Sequence, residues 1–185
     1  SLQAQVHKDL GIKAGVNVAN LKAENSSSMD PRLALHLGVL AHLHFSNHWA
    51  VQPEIVVSGQ GAKQTIGGDD YKVKLGYVNI PIIFQYMTGT GFRFGTGPQL
   101  GLMVSAKTKV NDGESVDVKK DFNTFDFAWA LGASYVTDGG FGVDARYNIG
   151  LMDVADGSGT LKNRVWQFGL FYQFNVTRMG QKHIK

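Results

Sequence analysis

Residues 33–45 read LALHLGVLAHLHF, and every odd-numbered position in this stretch is apolar. The even-numbered positions include His36, Gly38, His42 and His44. Successive side chains of a β-strand point to opposite sides, so alternation with a period of two is typical of a strand with one apolar and one polar face. The stretch therefore predicts a strand whose two faces meet different surroundings.

The same alternation recurs along the chain, and helical periodicity is almost absent. The alternating segments are joined in turn by short connections and by long polar ones. The short connections, at 46–48, 88–90 and 137–139, contain Ser, Asn, Asp, Thr and Gly, which are residues typical of hairpin turns. The eight predicted strands cover about 10–18, 33–45, 49–60, 71–86, 92–107, 125–136, 140–151 and 163–176.

The long connections are predicted at about 19–32, 61–70, 108–124 and 152–162. All short turns then lie at one end of the sheet, together with both termini. An even-stranded up-and-down sheet of this kind removes both of its edges by closing into a barrel. We therefore expect one all-β domain over 1–185, with strands between about 10 and 176 and a short polar C-terminal tail.

One irregularity is expected in the fourth strand. The alternation over 71–86 changes phase near Asn79 and Ile80, immediately before Pro81. Because proline cannot donate a hydrogen bond to a neighbouring strand, this pattern predicts a β-bulge.

The composition of the two faces indicates which one meets water. The chain is 43% hydrophobic, yet it has 23 glycines among 185 residues, and about half of these glycines fall on the polar face. The narrow interior of an eight-stranded barrel cannot hold about fifty large apolar side chains, whereas glycines would make room there for charged ones. We therefore predict an inverted barrel, with a lumen filled by polar side chains. The polar face carries Lys13, His36, His42, His44, Glu54, Arg93, Gln99, Asp126, Asp144, Arg146 and Gln167.

The apolar face has the pattern of a lipid-facing surface. It is almost free of charged residues, and its aromatic residues are concentrated beside the short turns, while its mid-strand positions are mostly aliphatic. The chain also has no apolar run of the length that a membrane helix needs. We predict a monomeric barrel embedded in the lipid of the bacterial outer membrane, with both termini periplasmic. The aromatic ring comprises Phe45, Trp49, Phe84, Tyr86, Phe92, Phe94, Tyr135, Phe141, Tyr172 and Phe174.

Several short motifs occur in an order that suggests a family. They are Gly11-Ile12-Lys13-Ala14-Gly15, Gln52-Pro53-Glu54, Tyr77-Val78-Asn79-Ile80-Pro81, Gly97-Pro98-Gln99-Leu100-Gly101, Asp144-Ala145-Arg146-Tyr147-Asn148 and Lys162-Asn163-Arg164-Val165-Trp166. In this order the chain resembles the PorT-like outer-membrane β-barrel family of Bacteroidetes-type bacteria over nearly its whole length. The resemblance implies an eight-stranded barrel in the outer membrane and no common activity.

Two groups of polar residues could carry chemistry. His42 and His44 could in principle hold a metal, but their i,i+2 spacing of about 7 Å is long for two direct ligands. Together with His36 they are interpreted as hydrogen-bonded lumen residues. The lumen carboxylates are interspersed with cations, which favours a structural ion network over acid–base catalysis. This predicted network comprises Glu54, Arg93, Asp126, Asp144 and Arg146 and is centred on Glu54 and Arg146.

We therefore expect no catalytic, cofactor or metal site, and three functional hypotheses remain. The first is a non-catalytic barrel that acts as an envelope anchor, as an adhesin or as an accessory to a secretion or envelope complex through its long loops. The second is a small transport pore, and the third is a soluble lipocalin-like ligand-binding barrel. The formal net charge of +3 is spread along the chain, which argues against nucleic acid as a partner.

Overall fold

A computed structural model describes residues 8–23, 30–66, 68–111, 113–121, 123–153 and 161–175. Almost all of these residues lie in antiparallel strands. The described part of the chain contains no helix that is both long and apolar enough to cross a membrane. The elements are β1 (Lys8–Ala23), β2 (Asp30–His44), β3 (Trp49–Ile66), β4 (Asp69–Met87), β5 (Phe92–Val110), the short β6 (Ser115–Asp117), a 3₁₀ turn η1 (Lys119–Asp121), β7 (Phe125–Val136), β8 (Phe141–Gly150) and β9 (Leu161–Asn175).

The sheet closes on itself, as the sequence predicts. Each long strand pairs with its neighbour in the chain, β4 pairs with β5, and β9 returns to pair with β1. Eight strands form the ring, and β6 adds three residues beside the outer part of β5. Since every strand in the ring has two partners, the barrel wall has no free edge.

The predicted faces agree with the structure on most strands. Apolar side chains of β2 point away from the barrel, and Leu33 and Leu35 are 72% and 74% exposed. Aromatic side chains near the short turns are also exposed and contact one another in pairs, including Trp49 with Tyr86 and Phe92 with Tyr135. An exposed aliphatic belt above such a ring is the lipid-facing surface of a transmembrane barrel.

The predicted bulge at Asn79 and Ile80 is wrong. These residues pair with Gly101 and Leu100 in an unbroken register. The irregularity lies instead in β5, where Ser105 pairs with Gly76 and Met103 with Tyr77, so that Val104 is the extra residue. The phase of burial changes there: Met103 and Ala106 are both buried, although they are three residues apart.

Two of the predicted long loops contain regular structure. The interval 61–70 is the outer end of a β-hairpin, since β3 continues to Ile66 and β4 begins at Asp69. The interval 108–124 contains the end of β5 together with β6 and η1. Of the other two, 24–29 and 154–160 lie outside the described residues, as does the predicted C-terminal tail.

The barrel wall is unequal in height. β4 and β5 have 19 residues each, whereas β7 has 12 and β8 has 10. At about 3.3 Å per residue and a tilt near 40°, each residue raises a strand by roughly 2.5 Å along the barrel axis. The wall formed by β3, β4, β5 and β6, here called the outer wall, therefore rises well beyond the apolar belt.

Candidate functional site: the barrel interior and the outer wall

Four charged side chains meet in the middle of the lumen, and they are named here the central charge cluster: Lys13, Glu54, Asp144 and Arg146. The Arg146 guanidinium donates to both Glu54 oxygens, at 2.7 and 3.0 Å. The Lys13 ammonium donates to Glu54 at 3.4 Å and to Asp144 at 3.3 Å. The cluster thus joins two cations to two carboxylates across the barrel. Paired charges of this kind avoid the cost of an isolated buried charge.

Glycines make room for this cluster. Gly132 lies opposite Arg146 on the neighbouring strand, and a Cβ atom there would lie 2.5 Å from the carbonyl oxygen of Ala145. A Cβ atom at Gly169 would lie 2.7 Å from Oδ1 of Asp144. Both distances are too short for a real side chain, so glycine at these positions lets the charged groups approach the wall.

The predicted five-residue network divides into separate groups. Glu54, Asp144 and Arg146 belong to the central charge cluster, but Arg93 lies elsewhere and donates to Gln173 at 3.0 Å. Asp126 accepts a hydrogen bond from Asn163 at 3.1 Å. Lys13 is missing from the predicted network, although its inward position on β1 was visible from the alternation. It is the residue that links Glu54 to Asp144.

The three lumen histidines are held by different neighbours. His36 Nδ1 lies 2.8 Å from Asn17 Oδ1, and His42 Nδ1 lies 3.1 Å from Gln52 Oε1. His44 lies 3.6 Å from a carboxylate oxygen of Asp9 on β1. Among the described residues, no three His, Asp or Glu side chains come together in a way that could hold a metal ion.

In the outer half of the lumen, the side formed by β1 and β3–β5 is apolar, whereas the sequence predicts a lumen filled by polar side chains. The side chain of Tyr77 points inward and is fully buried. It packs among the side chains that are named here the upper apolar cluster: Leu21, Ala62, Leu75, Tyr77, Met103 and Ala106. The amide of Asn163 lies 3.5 Å from the Tyr77 hydroxyl and also donates to Asp126.

Little space remains between the side chains on the short-turn side of the lumen. A cavity of about 20 Å³ is lined by Lys13, Gln85, Arg93 and Arg146, among others. A single water needs about 10–15 Å³ of such volume. The space is thus sufficient for one or two waters at most.

The outer wall carries lysines in two cross-strand rows. Lys63, Lys72 and Lys109 are partners across β3, β4 and β5, and Lys74 pairs with Lys107 in the adjacent row. Direct partners in an antiparallel sheet share a face, so all five lysines lie on one side of the wall. The opposite side carries Ala62, Leu75 and Ala106 of the upper apolar cluster, so the lysines face outward.

Comparison with known proteins gives one family match and several structural matches. Residues 3–156 match the family model described as outer membrane protein beta-barrel domain. Among curated proteins, none matches the chain in sequence.

Solved structures with the same fold include two bacterial surface proteins. The attachment invasion locus protein Ail of Yersinia pestis superposes with a TM-score of 0.57 at 19% identity, covering 91% of this chain and 99% of Ail. Neisserial surface protein A superposes with a TM-score of 0.61 at 14% identity, covering 89% of this chain and 97% of that protein. A further Ail structure, in complex with the heparin analogue sucrose octasulfate, has a TM-score of 0.56 at 18% identity and covers 91% of this chain and 99% of Ail. At these identities the likeness establishes the shared barrel fold.

Proposed function

Since this chain belongs to the outer membrane protein beta-barrel domain family and resides in the bacterial outer membrane, we propose that it is a non-catalytic, non-conducting barrel that presents its outer wall to a partner in the envelope or outside the cell. The observation that carries this proposal is the central charge cluster. Its side chains join β1, β3 and β8 across the lumen, and the cavity beside them on the short-turn side measures about 20 Å³. A lumen filled in this way favours an anchor, an adhesin or an accessory protein over a transport pore.

Conductance in planar lipid bilayers tests the closed lumen. We expect the refolded wild-type protein to insert without steady ion conductance, since ions would have to pass paired side chains in a low-dielectric interior. A Glu54→Ala variant should give intermittent currents, because loss of its carboxylate leaves Arg146 and Lys13 without that partner. Steady conductance of the wild type would instead favour the small transport pore.

The outer wall supplies the surface for a partner. It combines strands that rise above the apolar belt with five outward-facing lysines, and a face of this kind suits a partner that carries negative charge. Acidic surfaces of an envelope or secretion-complex protein have this chemistry.

The orientation of the barrel follows from the same proposal. The short turns beside the aromatic ring would be periplasmic, as would both termini, and the outer wall would face the exterior. Protease added to intact cells should cleave within 108–121 and spare the turn at 46–48. Cleavage restricted to the short turns would reverse the orientation and refute presentation of the wall outside the cell.

A further inference from the structure

A groove lies on the lipid-facing side of the barrel, away from the lumen and from the outer wall. It runs over the outer parts of β1, β8 and β9 beside the start of β2, and its volume is about 490 Å³. This volume falls within the range of small-molecule sites, roughly 300–1,000 Å³. Its lining residues are Val18, Asn20, Lys22, Pro31, Tyr147, Arg164 and Trp166.

The strand register orders these residues into layers. Val18 and Tyr147 are both direct partners of Trp166, and the rings of Tyr147 and Trp166 have centroids 4.6 Å apart. One step toward the long-loop end, Asn20 pairs with Arg164. A further step brings Lys22 opposite Lys162. The groove is therefore aromatic and aliphatic on its inner side and cationic on its outer side.

The layers lie at the depth of a membrane interface. Trp166 stands eight residues above Phe174 of the aromatic ring on the same strand, which corresponds to roughly 20 Å along the barrel axis at about 2.5 Å per residue. Lys162 stands twelve residues above Phe174, or roughly 30 Å. The apolar band of such barrels is about 25 Å tall. The aromatic layer thus lies within the acyl-chain region, and the cations lie at the level of the headgroups.

The polar groups of the groove are not satisfied within the described part of the protein. No described carboxylate forms an ion pair with Lys22, Lys162 or Arg164. The Oδ1 atom of Asn20 is buried and accepts no hydrogen bond from any described group. The two lining cations, Lys22 and Arg164, with Lys162 as the strand partner of Lys22, call for an anionic ligand, and the buried amide oxygen of Asn20 calls for a donor such as a hydroxyl group.

We propose that this groove binds a phosphorylated glycolipid of the outer leaflet. Lys22, Lys162 and Arg164 would bind the phosphate, since charge-assisted hydrogen bonds to cations are the strong ones at such an interface. The Asn20 carbonyl oxygen would accept a hydrogen bond from a sugar hydroxyl, and an acyl chain would pack on Trp166, Tyr147 and Val18. Because the groove lies at the depth of the membrane interface, we expect the phosphate to belong to a lipid and not to a soluble anion.

Trp166 provides a direct reporter of occupancy. In a Trp49→Phe/Trp129→Phe background it is the sole tryptophan of the chain. We expect its emission to change when lipid A is added to the protein in phosphatidylcholine vesicles, and to change little when dephosphorylated lipid A is added. Soluble pyrophosphate and heparin should neither reproduce the change nor compete with lipid A.

Charge-matched variants locate the site. Lys22→Gln/Arg164→Gln should weaken lipid A binding by about tenfold or more, because two charge-assisted contacts are lost. Lys119→Gln/Lys120→Gln removes the same charge from η1, away from the groove, and should leave binding unchanged. Lys22→Arg/Arg164→Lys should retain binding, and heat-dependent gel migration should show that each variant is folded.

Three results would overturn the proposal. Equal loss of binding in the η1 variant would mean that net charge alone attracts the lipid. Unchanged binding in the folded Lys22→Gln/Arg164→Gln variant would place the lipid elsewhere on the barrel. Competition by a soluble anion at equal phosphate concentration would make the source a free anion instead of a lipid. The assignment to the outer leaflet rests on the proposed orientation of the barrel, which the protease experiment on intact cells tests separately from lipid binding, and the closed lumen is independent of this site.

Discussion

The central charge cluster and the upper apolar cluster fill the same lumen with opposite chemistry. Near the middle of the barrel, Lys13, Glu54, Asp144 and Arg146 pair their charges. Toward the long-loop end, Leu75, Tyr77 and Met103 pack together with less than a few per cent exposure. The difference shows that the interior of an inverted barrel is filled and that its filling need not be polar throughout.

The two clusters should also differ in how they respond to loss of a side chain. Glu54→Ala should have the largest effect, because it leaves Arg146 and Lys13 buried without the carboxylate that both contact. Breaking a buried ion pair from one side typically costs about 3–5 kcal/mol. Urea unfolding in lipid vesicles, followed by tryptophan fluorescence, should show a free energy of unfolding reduced by about this amount.

Asp117→Ala is the control for Glu54→Ala. Asp117 is exposed on β6, and its carboxylate accepts a hydrogen bond from the backbone of Lys119. Exposed substitutions of this kind usually change stability by about 0.5 kcal/mol or less. If the two variants unfolded at the same urea concentration, the central charge cluster would not contribute to stability as its geometry indicates.

Met103→Ala should have the next largest effect. Met103 is 1% exposed in the upper apolar cluster, and its truncation leaves a cavity. Buried Met→Ala substitutions cost about 2–5 kcal/mol, and we expect about 2–3 kcal/mol because the small neighbours near the open end of the barrel can partly collapse. The same urea experiment measures it, with Val104→Ala on the exposed face as control. A loss as small as that of Val104→Ala would show that the cluster is loosely packed.

The different chemistry of the two clusters explains what the sequence could and could not predict. Around Glu54 and Arg146 the inner face is polar and the outer face apolar, so alternation identifies each side correctly. Around Tyr77 both faces are apolar, since Leu75 and Tyr77 point inward while Val78 and Ile80 point outward. The pattern then changes phase although the backbone of β4 is regular, so the alternation falsely predicts a bulge at Asn79 and Ile80.

The real bulge at Val104 was hidden for a related reason. Residues 102–106 read LMVSA, a run with no strongly polar position that could mark the inner face. The hairpin at 61–70 was missed because its polar and glycine residues are typical of a loop, whereas in the structure they pair between β3 and β4 above the apolar belt. Lys13 was missing from the network because a contact between β1 and β8 depends on barrel closure and shear, which alternation does not specify.

Replacing both partners of the ion pair should cost much less than removing one. In Glu54→Met/Arg146→Met both charges are lost together, and Lys13 can still contact Asp144 at 3.3 Å. Buried pairs replaced by apolar residues of similar volume are often neutral or stabilising. We expect the free energy of unfolding to fall by about 1 kcal/mol or less. A loss as large as that of Glu54→Ala would mean that the cluster stabilises the barrel beyond avoiding an unpaired charge.

Tyr77→Phe should have the smallest effect, although Tyr77 is the largest fully buried side chain among the described residues. Its ring belongs to the upper apolar cluster, and phenylalanine keeps that packing. Its hydroxyl is the only group lost, and it accepts a long hydrogen bond of 3.5 Å from Asn163, whose amide also donates to Asp126 at 3.1 Å. Since Asn163 keeps this second acceptor, the substitution leaves no new unpaired donor, and we expect the free energy of unfolding to fall by about 0.5 kcal/mol, at the low end for a hydrogen bond.

Tyr77→Ala, which also removes the ring, should lower the free energy of unfolding several times more in the same urea experiment. A loss above about 2 kcal/mol for Tyr77→Phe would assign Tyr77 to the polar filling and move the boundary between the two regions outward.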